Sequence, residues 1–129
     1  MDIPFVGNSV IASTSFIRSH RDVVRAFLRG FVEGTTFYKT HKQESLKDMA
    51  RFLRTQDPAV LEETHQYYAV KLMPRVPYPG LKGVEAVLKF MGQTDPKASK
   101  ADPRNFVDMS FMEALDKSGF IEGLYKSHR

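Results

Sequence analysis

Only one stretch of this chain, residues 3–14, reads as a β-strand, and a single strand has nothing in the chain to pair with. Ile3, Phe5 and Val6, then Val10-Ile11-Ala12, supply its β-branched and aromatic residues, interrupted at Gly7-Asn8. Helical periodicity runs through the rest. The expected fold class is mainly α, one short N-terminal strand followed by about five amphipathic helices. A length of 129 residues supports one domain, 1–129, with one core, and leaves no room for two domains flanking a cleft.

The first helix is the longest. Ser19 and Asp22 form a capping-box pattern, after which Val23, Val24, Phe27, Phe31, Val32 and Thr35 recur at helical spacing over about 20 to 40. Gly30 and Gly34 lie one turn apart on it and would admit a close neighbour, at about 1 kcal/mol each in helix propensity. A second helix spans about 43–55, with Leu46, Met49, Ala50 and Leu53 inward. Asp57-Pro58 starts a third, running to about Leu72, because the Asp carboxylate can accept first-turn N–H groups and proline suits the first helical position. Pro74, Pro77 and Pro79 predict an extended strap over 74–80. The fourth helix covers about 81–93, residues 94–105 read as a polar loop, and a terminal helix follows at about 108–118. Gly119 is placed for a left-handed helix end, with Phe120 folding back on the last turn.

Composition narrows the function classes. The chain has no cysteine, which removes disulfides, thiolate metal sites and cysteine nucleophiles. No apolar run reaches the length of about 18 residues that would span a membrane. Met1-Asp2-Ile3-Pro4 lacks the basic and apolar regions of a secretory signal, so an exported protein is expected to carry more chain in front. A net charge of +4 could attract nucleic acid, with Arg18, Arg21, Arg25 and Arg29 as the obvious stripe. The basic residues are nevertheless spread among fifteen acids, which is the pattern of a solvated helical surface, and no nucleic-acid partner is expected.

No catalytic constellation emerges. His20, His41, His65 and His128 lack a second ligand at metal-binding spacing and read as surface or helix-end residues, so no metal and no cofactor are expected. Glu44, Asp48 and Glu62-Glu63 fall on exposed helix faces, where nothing separates their pKa values for acid–base work. Tyr67-Tyr68 and Phe37-Tyr38 are more simply core than ligand platforms. The chain is not expected to be an enzyme.

A set of motifs in fixed order gives a more specific reading. The C-terminal stretch runs Asp102-Pro103, Phe106-Val107-Asp108, Ser110-Phe111, Leu115, Ser118-Gly119-Phe120-Ile121 and Leu124-Tyr125-Lys126. Ahead of it come Val10-Ile11-Ala12-Ser13, Phe16-Ile17, Asp22-Val23-Val24, Phe27-Leu28, Asp57-Pro58, Val60-Leu61, Tyr67-Tyr68, Tyr78-Pro79, Leu81, Gly83-Val84 and Val87-Leu88. In this order the set resembles the C-terminal portion of the solute-binding proteins of bacterial ABC importers, in the group that takes up sulfonates, nitrate, taurine and thiamine precursors. Arg21 stands where that family commonly has a proline before the acid.

That resemblance implies a two-lobe α/β parent fold, type II among periplasmic binding proteins, of which this chain matches the last crossing strand and the helices after it. It implies a small-molecule solute, sulfonate, nitrate or pyrimidine-like, a transporter permease as partner, a periplasmic location for the full-length parent, and no catalysis. One branch of the family makes a thiamine pyrimidine with a cysteine-containing iron motif, and this chain has no cysteine. The chain is expected to be a C-terminal fragment. Asn8, Ser9 and Ser13 beside the crossing strand are the ligand-contact candidates, and the alternative is a small basic helical module that binds nucleic acid or protein. An unpaired strand also predicts self-association, a homodimer in which segment 3–14 pairs with or packs on a second copy.

Overall fold

The computed structural model of the chain describes residues 9–127. Among these residues the architecture is helical without a strand: α1 (Thr14–Ser19), α2 (Arg21–Thr40), α3 (Lys42–Leu53), α4 (Pro58–His65) continuing as a π-helical stretch (Gln66–Leu72), α5 (Leu81–Met91), α6 (Pro96–Ser99), a 3-10 turn (Pro103–Phe106), α7 (Ser110–Lys117) and α8 (Phe120–Ser127). Internal contacts gather the chain into two units, one formed by residues up to 21 with 78–111, the other by 22–77 with 112 onward.

The strand expected over 3–14 is corrected in its described part, 9–14. Residues 3–8 lie outside the described part, 9–13 are irregular, and α1 begins at Thr14. Two causes act together. Val10 and Ile11 have the side chains of a strand but no partner strand among the described residues, and Ser13 caps a helix, its Oγ accepting from Phe16 N at 3.2 Å. Ser19 then lies in the last turn of α1, where its hydroxyl donates to Ser15 O at 2.8 Å, so it closes α1 and does not open the long helix.

In the first unit α5 packs on α6 and on the 3-10 turn. Each of these short turns starts at an Asp-Pro pair. Asp95 Oδ1 accepts from Lys97 N at 2.8 Å, and Asp102 Oδ1 accepts from Arg104 N at 2.9 Å. The Arg104 guanidinium also donates to Asp102, and these bonds hold the Asp102 carboxyl below its usual range. The stretch 94–105, expected as a plain loop, is thus two capped turns. Few side chains are buried here; Ala98 and Phe111 are, and Gly83 marks where α5 is covered.

The second unit has the larger core. Val32 of α2, Met112 and Leu115 of α7 and Ile121 of α8 form a buried cluster, with Leu28, Val76, Phe120, Leu124 and Tyr125 packed around it. Gly119, at φ +75°, makes the left-handed turn that lets α8 fold back, as its place in the sequence predicts. Phe120 packs against the cluster, and Arg29 lies 4.3 Å over its ring. Residues 74–80 contain no helix and no strand, in keeping with a proline strap.

Two details of α2 and α3 depart from the periodic reading. Val32 and Thr36 are buried while Val23, Phe27 and Phe31 are exposed, so the apolar residues of α2 fall on two faces and not one. Gly30 and Gly34 meet no neighbour, since nothing lies within 4 Å of a Cβ built on either. In α3 the buried residue is Ser45, and Leu53 is exposed.

α3 ends on Arg54 at φ +53°, a left-handed position where a side chain costs about 1–2 kcal/mol. Glycine removes that strain but adds about 0.5–1 kcal/mol of unfolded-state entropy. Arg54→Gly is therefore expected to stabilise the protein by about 0.5–1 kcal/mol, seen as a higher urea midpoint at unchanged helicity. An unchanged or lower midpoint would show that Arg54 makes compensating contacts.

Candidate functional site

The ligand candidates from the sequence do not converge. Asn8 lies outside the described residues, Ser9 is exposed in an irregular stretch, and Ser13 is occupied as the cap of α1, its Oγ also sharing a hydrogen bond with Ser15 Oγ at 3.1 Å. Neither Ser9 nor Ser13 lines the surface depression beside Gly92 or the one beside Tyr38.

The densest polar arrangement lies in the second unit, where α2 ends. A helix leaves its last carbonyls without intrahelical partners. Here the carbonyl of Tyr38 is met from two other helices: His65 Nε2 of α4 donates to it at 2.9 Å and Ser45 Oγ of α3 donates at 3.3 Å. His41 N takes the Phe37 carbonyl at 2.8 Å, and Ser45 N bonds His41 O at 3.0 Å. Lys39 Nζ reaches the other way and donates to the carbonyls of Ala69 and Met73 at the end of the π-helical stretch, the second at 2.7 Å. Burial pushes the Lys39 ammonium below the ordinary lysine value. It also raises the Tyr38 phenol, with a further push from the charge of Tyr68.

His65 is the residue that sequence reading missed. It is buried, not a surface histidine, and its Nδ1 has no hydrogen-bond partner. The signal was available: Leu61, His65 and Ala69 are all buried and stand four residues apart, one stripe of a helix. A carbonyl oxygen can only accept, so Nε2 is the donor in this bond.

Beside this knot an open depression of about 380 Å³ is bordered by Phe37, Tyr38, Met49, Phe52 and Thr64, with Asp48 as its charged neighbour. Tyr38 Oη donates to Met49 Sδ at 3.3 Å. Such a surface can hold an apolar group by shape. It offers no nucleophile paired with a base and no set of converging donors for a developing charge.

Two further histidines are in helix-end contacts, and His128 lies outside the described residues. His20 stacks on Phe16 at 4.6 Å and His41 on Phe37 at 4.3 Å. Among the described residues no group of three His, Asp or Glu side chains could hold a metal ion, and no helix is long and apolar enough to cross a membrane. Glu44, Asp48, Glu62 and Glu63 are exposed on helix faces, Glu62 pairing with Lys42.

Of the arginine stripe, two members serve packing. Arg21 lies 4.4 Å over the Phe111 ring, 3.8 Å from Asp108 and 3.3 Å from Ser110 Oγ. Arg29 is bonded to Glu33 at 3.4 Å while covering Phe120. No protein-family profile, no curated protein and no solved structure matches the chain.

Proposed function

We propose that this chain is the C-terminal part of a solute-binding protein that delivers a small molecule to a bacterial ABC importer, without chemistry of its own. One feature of the sequence supports this reading: more than ten short motifs, from Val10-Ile11-Ala12-Ser13 to Leu124-Tyr125-Lys126, resemble in their order and spacing the final segment of that family. Physical details agree with the roles such motifs would have. Asp57 Oδ1 caps α4 by accepting from Ala59 N at 2.9 Å, α5 begins directly after the proline strap, and Gly119 turns the chain so that Phe120 reaches the core.

On this reading the full-length parent binds a sulfonate, nitrate or pyrimidine-like solute, meets a permease, and works in the periplasm. The lobe that would complete the binding cleft, and with it most solute contacts, belongs to the rest of that parent. The depression beside Tyr38 is then a packing surface of one lobe and not the solute site.

A basic nucleic-acid module is the rival reading. Arg21 and Arg29 already spend their charge on Asp108 and Glu33 and their guanidinium faces on phenyl rings, which leaves a poor phosphate-binding stripe. Gel-shift titration with DNA and RNA separates the two. The importer reading predicts no complex at micromolar chain; a tight complex whose affinity falls steeply with salt, as counterion release requires, would overturn it.

A further inference from the structure

The π-helical stretch has the sequence of an ordinary α-helix. Gln66, Ala69, Lys71 and Leu72 are good helix formers, and no glycine or proline interrupts 66–72. A π-helix bonds each carbonyl to the amide five residues on, one further than an α-helix, and runs of it are rare. Here the Met73 amide donates to Tyr68 O at 2.8 Å, which is that five-residue bond. Something outside the stretch therefore sets its register.

The next bond of the series would join the amide of residue 74 to Ala69 O, and Pro74 has no N–H. This ends the stretch at Leu72 and leaves the carbonyl of Ala69, a residue 3% exposed, without a backbone donor. Lys39 supplies one. Its ammonium donates to Ala69 O and, at 2.7 Å, to Met73 O. In an α register the Met73 amide would meet Ala69 O instead. The carbonyl facing the proline would then be that of Val70, which is 62% exposed and open to water.

We propose that Lys39 is a register latch: its ammonium stands in for the amide hydrogen that Pro74 lacks, and its loss rewinds residues 66–72 to an α-helix and frees the strap that follows. With the ammonium gone, the π register leaves a buried carbonyl unmet, whereas the α register moves that shortage to an exposed one. The strap feels the change because it is anchored just beyond the helix end. Val76 packs against the core cluster, Arg75 pairs with Glu122 of α8, and the Arg75 guanidinium lies 4.1 Å over the Tyr125 ring. Rewinding lengthens the helix and turns its end about the axis, which draws Arg75 and Val76 away from these partners. One charge at the end of α2 thus controls the surface of α8. The latch lies wholly within the second unit and does not rest on the importer reading.

NMR couplings carried across hydrogen bonds name the carbonyl that each amide meets, and so read the register directly. In the original chain the Met73 amide is expected to couple to Tyr68. In Lys39→Met, which keeps the side-chain length and loses the ammonium, it should move to Ala69. Trypsin should then cut after Arg75 about tenfold faster, since that side chain has left Glu122. Adding Pro74→Ala to Lys39→Met restores an amide at position 74. The Met73 coupling should return to Tyr68, the new amide should couple to Ala69, and the cut should slow again. A Lys39→Met chain whose Met73 amide stays on Tyr68, or a double variant that stays rewound, would overturn the proposal. The double variant also covers a Lys39→Met chain that fails to fold: the restored amide should let it fold, and a double variant as unfolded as the single one would equally overturn the latch.

Discussion

Ile121→Ala is expected to remove about 3–4 kcal/mol of stability. Ile121 is 1% exposed and sits where α7, α8 and α2 meet, in contact range of the cluster formed by Val32, Met112 and Leu115. Truncation loses the transfer free energy of three carbons and leaves a cavity whose walls belong to three helices, which restricts collapse. Small domains have only about 5–15 kcal/mol in total, so the variant should unfold at a much lower urea concentration, read by far-UV circular dichroism. Ile11→Ala provides the control. Ile11 is 89% exposed, and its loss should shift stability by no more than about 0.5 kcal/mol. Equal effects at the two positions would mean that the core of the second unit lies elsewhere.

Gly92→Ala is expected to destabilise the first unit by about 1–2 kcal/mol, although helix propensity alone argues the opposite way. Gly92 has φ −63° and ψ −12°, a conformation alanine adopts readily, and the substitution would gain up to about 1 kcal/mol on that ground. Its new Cβ, however, would stand 2.8 Å from Ser99 Cβ and 2.9 Å from Ser99 Cα. The second of these is backbone, so relief requires α6 to move away from α5, and overpacking of this kind costs about 1–3 kcal/mol. Ser99→Gly in the same chain should restore only part of the loss, because the clash with the backbone at residue 99 persists. A Gly92→Ala variant more stable than the original chain would show that α6 is not held against α5.

The chemistry of helix ends was the most legible part of the sequence. Asp57-Pro58, Gly119 and Phe120 each do what their types suggest, because a carboxylate on an orphan N–H, or a residue without a Cβ in a left-handed turn, is a local requirement that needs no knowledge of the rest of the fold. Asp95-Pro96 carries the same signal, yet the turn it opens is too short to show periodicity and so reads as loop. Which side of a helix faces inward was less legible. Phe27 and Val32 are both apolar and both fit a helical stripe, and only the position of α7 and α8 decides that Val32 is the buried one.

Long-range partners account for the other differences. Val10 and Ile11 favour a strand by side-chain type, but a strand is stabilised by cross-strand neighbours, and the described residues offer none. The knot around the Tyr38 carbonyl joins residues 38, 45 and 65 from three helices; nothing in their sequence neighbourhoods marks Ser45 and His65 as a pair aimed at one acceptor. Ser9 and Ser13 are small polar residues beside a bend, which is all that marks them in the sequence, and Ser13 is needed by its own helix.

The coding sequence immediately upstream of the Met1 codon tests the central claim most directly. If this chain is the C-terminal part of an importer's solute-binding protein, the upstream reading frames, intact or broken by a stop codon or frameshift, will encode a signal peptide followed by the strands of a two-lobe front, ending where Val10-Ile11-Ala12-Ser13 begins its return. Upstream sequence that encodes an unrelated complete gene, or a regulatory region with no remnant of such a front, would contradict it.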